Sequence, residues 1–227
     1  KIISFLPKEH QTLLFSATMP PNMAQLAKSI LNNPAQISLS ISKPAEGVKQ
    51  LLYMTFDEQK IKMLSHILGE RKEYNSVIIF TGTKNKVSDI VKALNRSGFR
   101  STGISSNLEQ TEREEVLRGF RSKRIRILVA TDVMSRGIDI KEINMVVNFD
   151  VPHDAEDYVH RVGRTARAET KGEAVTLVNP KEMYRIRKIE QLIGSTLTKL
   201  QPPKEFGAGP EWQEKANKPN NKKHFRR

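Results

Sequence analysis

A parallel α/β sheet flanked by helices is the fold class this sequence predicts, on three observations. Short β-rich runs alternate with amphipathic stretches through the middle of the chain. Some of those runs are apolar without interruption, Val77-Ile78-Ile79-Phe80 most plainly, which implies a strand covered on both faces. Helix caps and breakers stand between the two kinds of segment, as Asp57 does before one helix and Gly98 after another.

The elements follow in order. Val48 to Phe56 reads as a strand, and Asp57 caps a helix that aligns Ile61, Leu64, Ile67 and Leu68 on one face. Ser76 to Thr81 is a strand, Lys84 to Ser97 a helix, and Phe99 to Ile104 a short strand. Glu109 to Arg121 is a charged helix with Val116, Leu117 and Phe120 turned inward. Arg126 to Ala130 is a strand, leading into a loop from Thr131 to Asp139. The strand Ile143 to Asp150, the helix Asp154 to Val162, the strand Gly172 to Asn179 and the helix Lys181 to Ile193 complete the series. Right-handed crossovers would gather the loops after the strand C-termini along one edge of the sheet, where ligands usually bind.

The ends differ from the middle. Residues 1–39 offer a strand (Gln11 to Phe15), a helix (Asn22 to Leu31) and a further strand (Gln36 to Leu39), too little apolar surface for a domain alone. Residues 40–47 read as a linker, residues 48–200 as the main domain, and residues 201–227 as a proline-bearing, basic tail expected to be disordered. Across the 227 residues, 38 Lys and Arg against 25 Asp and Glu leave a charge of +13, which points to a polyanionic partner without naming it. The chain has no cysteine, so disulfides, thiolate metal sites and cysteine nucleophiles are excluded. The five histidines are scattered without metal-ligand spacing, so no metal site is expected. With no long apolar run and no leader-like start, the expectation is a soluble cytoplasmic protein with no membrane contact.

Two segments carry the chemistry. His160-Arg161-Val162-Gly163-Arg164-Thr165-Ala166-Arg167 puts a histidine and three arginines within eight residues at a helix end. A helix C-terminus favours one or two cations through its dipole. Arginines three apart around a Gly-Arg-Thr turn fit better a clamp on phosphate, which guanidinium groups grip through paired hydrogen bonds. The second segment, Ala130 to Asp139, follows a buried strand; Asp139 could accept from ribose hydroxyls and Gly137 permits a tight turn or close approach. By itself a Thr-Asp followed by Arg-Gly is also consistent with a purely structural turn.

These segments, with Ser16-Ala17-Thr18 and Gln110-Thr111-Glu112-Arg113, resemble the DEAD-box RNA helicases of superfamily 2. Ser16-Ala17-Thr18 looks like motif III, Val77 to Thr81 like motif IV, and Gln110 with Arg113 like the Gln-x-x-Arg element. Ala130 to Asp139 looks like motif V and His160 to Arg167 like motif VI, in the family's order from about Lys1 to Leu200. Residues Gln11 to Thr18 and Asp157 to Arg161 look most like the bacterial RhlE branch. The resemblance implies a RecA-like parallel sheet and, for residues 1–39, a remnant of a first RecA-like lobe. The Gly-Lys-Thr phosphate loop and Asp-Glu-Ala-Asp box of that first lobe do not occur in the sequence. The expectation is therefore the second lobe of an ATP-dependent RNA helicase, inactive without the first.

Roles follow from the resemblance. Arg164 and Arg167 would be arginine fingers reaching the γ-phosphate of ATP, whose Mg²⁺ the first lobe would hold. Such fingers contribute about 10³–10⁵ in rate, roughly 4–7 kcal/mol of barrier. His160 would link motif VI to the first lobe's acidic box, an assignment it owes wholly to its neighbours, and Arg161 would brace the loop between the lobes. Asp139, Arg136 and Gly137 would line the nucleotide cleft. Thr131 and Arg113 would contact the RNA backbone with Gln110 in support, the weaker alternative for Arg113 being a pairing with nearby glutamates. Ser16 and Thr18 would carry communication between lobes.

RNA and the first lobe are the implied partners. The tail's Trp212, Phe225 and Lys222 to Arg227 could tether RNA or simply solubilise the terminus. Three positions depart from the family pattern: Ala166 in motif VI, Ser105-Ser106-Asn107 in an RNA-facing loop, and Met134-Ser135 before Arg136-Gly137. The alternatives are a non-catalytic RNA-binding or annealing module and a superfamily 2 DNA helicase lobe.

Overall fold

The structure, a computed structural model, describes residues 5–16, 19, 21–37, 47–132, 143–165 and 172–214. The chain divides into two units, residues 1–41 and 42–227. In the smaller one, α1 (Pro21–Ile30) is the regular element among the described residues. Residues 11–16 form no strand. Leu13 and Phe15 of that segment are exposed, and with no neighbouring strand among the described residues to pair with, an isolated extended run gains nothing from its β propensity. The second expected strand, from Gln36, is irregular at residues 36 and 37 and then passes outside the described residues.

The larger unit is a seven-stranded, all-parallel sheet in the order β3-β4-β2-β5-β6-β1-β7. Its strands are β1 (Val48–Met54), β2 (Val77–Phe80), β3 (Ser101–Ile104), β4 (Ile127–Ala130), β5 (Met145–Asn148), β6 (Gly172–Val178) and β7 (Thr198–Leu200). The central strands β2, β4, β5 and β6 are buried at every residue, as parallel strands covered by helices must be. Their connections include α2 (Asp57–Glu70), α3 (Lys84–Arg96), α4 (Gln110–Arg121), α5 (Ala155–Val162) and α6 (Met183–Ile193).

Alternation along the strands divides the core. Val77, Ile79, Ile127, Val129, Met145 and Val147 pack under α2 and α3 through Met63, Leu64, Ile67, Val87, Ile90 and Leu94. Ile78, Phe80, Leu128, Ala130 and Val146 form the other cluster, with Phe120 of α4. Deleting any of these Leu or Ile side chains to Ala would cost about 2–5 kcal/mol. Asp57 is the first residue of α2 rather than its cap. The Phe56 amide before it donates to Gln59 Oε1 (2.8 Å), while the Asp57 carboxylate accepts from Asn179 Nδ2 (2.8 Å).

Beyond Leu200 the expectation of disorder does not hold for residues 201–214. The short strand β7 extends the sheet beside β1, and the chain then turns through one 3₁₀ turn, Lys204–Phe206. Gln59 Nε2 donates to the Phe206 carbonyl (2.9 Å), and Lys199 Nζ lies 4.5 Å from the Trp212 ring centroid. At Gly209 an added Cβ would lie 1.8 Å from the Met54 carbonyl oxygen, so the strap crosses the end of β1 in backbone contact. The proline and aromatic residues that look like tail composition therefore serve as packing groups; Pro202 and Pro210 are buried. Residues 215–227 lie outside the described residues.

Candidate functional site

The ends of the strands carry most of the buried polar groups. Strand β4 ends at Ala130, so Thr131 and Asp132 follow it at the sheet's C-terminal edge, both partly exposed. Strand β5 ends at Asn148, with Phe149 and Asp150 next. Helix α5 packs against α6, and its apolar Tyr158, Val159 and Val162 are buried. This seating drives Arg161 of the same helix into the protein, where it is 3% exposed.

Every bond of that guanidinium has a physical reason. A buried cation must be paired and hydrogen-bonded. Nε and Nη2 donate to Asp132 Oδ1 (2.6 Å) and Oδ2 (2.7 Å) in a two-pronged contact. Nη1 donates to Asn148 Oδ1 (3.1 Å) and the Asp150 carbonyl (3.0 Å). The guanidinium carbon stands 5.0 Å from the Phe80 ring centroid, within cation–π range. One side chain thus joins the ends of β2, β4 and β5, and with them the segments resembling motifs IV, V and VI. A role for Arg161 between lobes would be indirect, through the loop it holds.

A second polar node lies beside the first. Asp150 Oδ2 accepts from Thr81 Oγ1 (2.8 Å) and the Gly82 amide (2.9 Å), and Oδ1 accepts from Lys86 Nζ (2.7 Å). Burial works to raise this carboxyl's pKa, but the Gly82 amide, Lys86, Lys60 and Thr81 outweigh it and hold the value at about 2. Lys60, 1% exposed, donates to the Phe149 carbonyl (2.9 Å) and Glu182 Oε2 (2.9 Å). Glu182 Oε1 accepts the Val151 amide (3.1 Å). Four charged side chains, from α2, α3, the segment after β5 and the turn before α6, therefore fix the loop that leads into α5.

The turn after α5 is held at both ends. The Gly163 amide donates to the Val159 carbonyl (2.8 Å), the Arg164 amide to the Arg161 carbonyl (3.1 Å), and the Thr165 amide to the Val162 carbonyl (3.0 Å). Thr165 Oγ1 donates to the Ile143 carbonyl (2.5 Å), and Thr165 bridges to Ile143, two residues ahead of β5. Arg164, partly exposed, sits between the Arg161 clamp and this anchor. Its turn is thus tied to the N-terminal end of β5, whereas Thr131 and Asp132 occupy the C-terminal edge.

The other candidates fall as follows. His160 is half-buried on α5, next to Arg161. Gln110 and Arg113 lie in the first turns of α4; Gln110 Nε2 donates to Glu114 Oε1 (2.8 Å), and Arg113 is half-buried. Ser16 is exposed in the smaller unit. Arg136, Gly137, Asp139, Arg167 and Thr18 lie outside the described residues. Among the described residues, no group of three or more His, Asp or Glu could hold a metal ion, and no helix is long and apolar enough to cross a membrane. Asp132, Asp150, Lys60 and Glu182 are the residues that sequence reasoning passes over. Asp132 stands inside a motif but looks like an ordinary turn residue, and the other three carry no local signal.

The helicase conserved C-terminal domain family matches residues 59–169, which span Lys60, Asp132, Asp150 and Arg161. A solved C-terminal domain of the DEAD-box protein Dbp5 is 31% identical, with a TM-score of 0.62, covering 67% of this chain and 89% of that one. The chain belongs to the DEAD-box RNA helicase family. The DEAD-box ATP-dependent RNA helicase CshA of Geobacillus kaustophilus is 38% identical over 203 residues, 89% of this chain and 43% of that protein. S. cerevisiae Dbp5 bound to RNA and ADP BeF3 superposes with a TM-score of 0.77 at 32% identity, covering 88% of this chain and 53% of that one. The chain thus spans less than half the length of the curated helicases it matches. The seven-stranded parallel sheet is that of a RecA-like helicase domain.

Proposed function

We propose that this helicase C-terminal domain is the second lobe of an ATP-dependent RNA helicase and supplies arginine fingers to a nucleotide held by a first lobe. The Arg161 clamp carries the reading. It locks the Thr131-Asp132 loop to α5, so that an RNA contact at Thr131 and the guanidinium of Arg164 one helical turn beyond Arg161 belong to one rigid piece.

ATP supplies a γ-phosphoryl group whose charge a guanidinium can balance as the bond to its leaving group loosens. A partly exposed Arg164, braced on both sides, suits that donor chemistry. Arg167 is the second finger, Asp139, Arg136 and Gly137 line the nucleotide side, and His160 meets the first lobe. Thr131, Arg113 and Gln110 grip the RNA sugar-phosphate backbone, giving little sequence preference. Ser16 and Thr18 couple the lobes. Mg²⁺ belongs to the first lobe's carboxylates. In this account the chain alone turns over no ATP, the intact protein is cytoplasmic, and its finer affinity is to the RhlE branch.

The test is complementation. A first lobe from a related helicase, joined to this chain, should produce ATP hydrolysis that rises with single-stranded RNA, while each lobe alone stays at background. Hydrolysis by the chain alone, abolished by Arg164→Ala, would overturn the two-lobe reading. RNA binding without any gain in turnover on joining would favour an annealing module. Equal stimulation by DNA would favour a DNA helicase lobe.

A further inference from the structure

Two long stretches of the chain carry no acidic residue: 90–108, with Lys92, Arg96 and Arg100, and 116–131, with Arg118, Arg121, Lys123, Arg124 and Arg126. The fold brings the middles of both to one place. Helix α3 ends at Arg96 and α4 at Arg121, each just before its strand begins, so both loops lie at the N-terminal end of the paired strands β3 and β4. Between the loops is a cleft of about 490 Å³ lined by Phe99, Arg100, Ser101, Thr102, Arg124 and Ile125. Arg96, Arg100, Arg118, Arg121, Lys123 and Arg124 are all exposed. Arg126 is not part of this surface. Its guanidinium turns inward to the carbonyls of Tyr74, Leu68 and Arg71.

Helix dipoles explain only a little of this charge. Two helix C-termini present about half a negative charge each, against six exposed cations. Lys123 has φ +60, at a position just past the helix end where glycine or asparagine normally sits. At Gly119 a Cβ would stand 2.9 Å from Ile125 Cδ1 and 3.2 Å from Arg124 Nη2, so the small residue leaves room along α4 for both side chains.

We propose that this cleft is a second RNA site, which takes the phosphate backbone of a single-stranded segment between Arg100 and Arg124. It rests on the RNA-binding reading above and adds a surface at the sheet end opposite Thr131. Single-stranded RNA fits better than an acidic protein for two reasons. Five of the six cations are arginines, whose forked donors suit phosphate, and the cleft adds the half-buried Phe99 ring, on which a base can stack. An RNA strand leaving the Thr131 edge and returning here would be held at two points, which raises effective affinity without new contacts at either.

Titrating the chain with a dodecauridylate and following backbone amide shifts separates the sites. The proposal expects two groups of shifts, one at 110–113 and 131–132 and one at 98–102 and 124–125. Arg100→Gln with Arg124→Gln should remove the second group alone. The salt slope of log Kd should fall by about 1.4 for the two lost contacts. Arg100→Glu with Arg124→Glu should act in the same direction and more strongly, with the remaining amide spectrum unchanged as the check on folding. Shifts confined to the first group would overturn the second site and leave the RNA-binding reading standing. Shifts in neither group would overturn both. Shifts at 98–102 with polyglutamate but not with RNA would assign the cleft to an acidic protein and refute the proposal.

Discussion

Replacing Arg161 with methionine tests how the family's motifs are held together, and its cost can be worked from the contacts. The substitution keeps most of the aliphatic stem but removes all four donated hydrogen bonds. Asn148 is fully buried, so its Oδ1 loses a partner that water cannot replace, at about 1–3 kcal/mol. Asp132 keeps some exposure, its side chain being 28% accessible, and solvent recovers part of its loss. Breaking a buried ion pair from the cation's side typically costs about 3–5 kcal/mol, a large share of the roughly 5–15 kcal/mol that holds a domain folded. Urea unfolding followed by circular dichroism should show a fall of that size in ΔG with little change in slope. Combined with Asp132→Asn, the double-mutant cycle should give a coupling of at least about 1.5 kcal/mol. A loss under about 1 kcal/mol, or coupling near zero, would refute the idea that this clamp ties the three segments.

Other expectations are simpler. Asp150, held at about 2, contributes stability that is fully present above the unfolded carboxyl's pKa near 4 and is lost as pH falls through 2. About two units at roughly 1.36 kcal/mol each give between 2 and 3 kcal/mol, so acid unfolding curves of the wild type and Asp150→Asn should converge toward pH 2; parallel curves would contradict this. Gly209→Ala should lift the strap from Met54 and expose Trp212, the chain's single tryptophan, which fluorescence reads as a red shift at unchanged helix content; an unshifted spectrum would show the strap accommodates a side chain. Arg113→Ala and Thr131→Ala should each weaken single-stranded RNA binding about equally across sequences, which filter binding to several homopolymers checks.

The sheet was legible because its signals are local. An uninterrupted Val77-Ile78-Ile79-Phe80 run leaves little besides a buried parallel strand, and Gly98, with φ +82 in the structure, ends its helix as its type suggests. Errors arose where neighbours decide. Gln11 to Phe15 has strand-forming residues but no partner strand among the described residues, and residues 201–214 have tail-like composition but dock through Gln59, Lys199 and the bare backbone of Gly209. The site divides in the same way. The arginines of motif VI announce themselves by spacing, yet nothing along the chain says that Asp132 meets Arg161, 29 residues away, or that Lys60 meets Glu182 across 122. Those pairings exist only once parallel strands place their ends side by side.

The most direct measurement of the central claim is single-turnover ATP hydrolysis, at saturating RNA, by this lobe joined to a first lobe, with Arg164 intact or changed to alanine. If Arg164 meets the phosphate, Arg164→Ala should slow the chemical step by about 10³-fold or more while RNA affinity and urea stability of the lobe stay as they were. A rate within a few-fold of the unchanged protein would contradict the account.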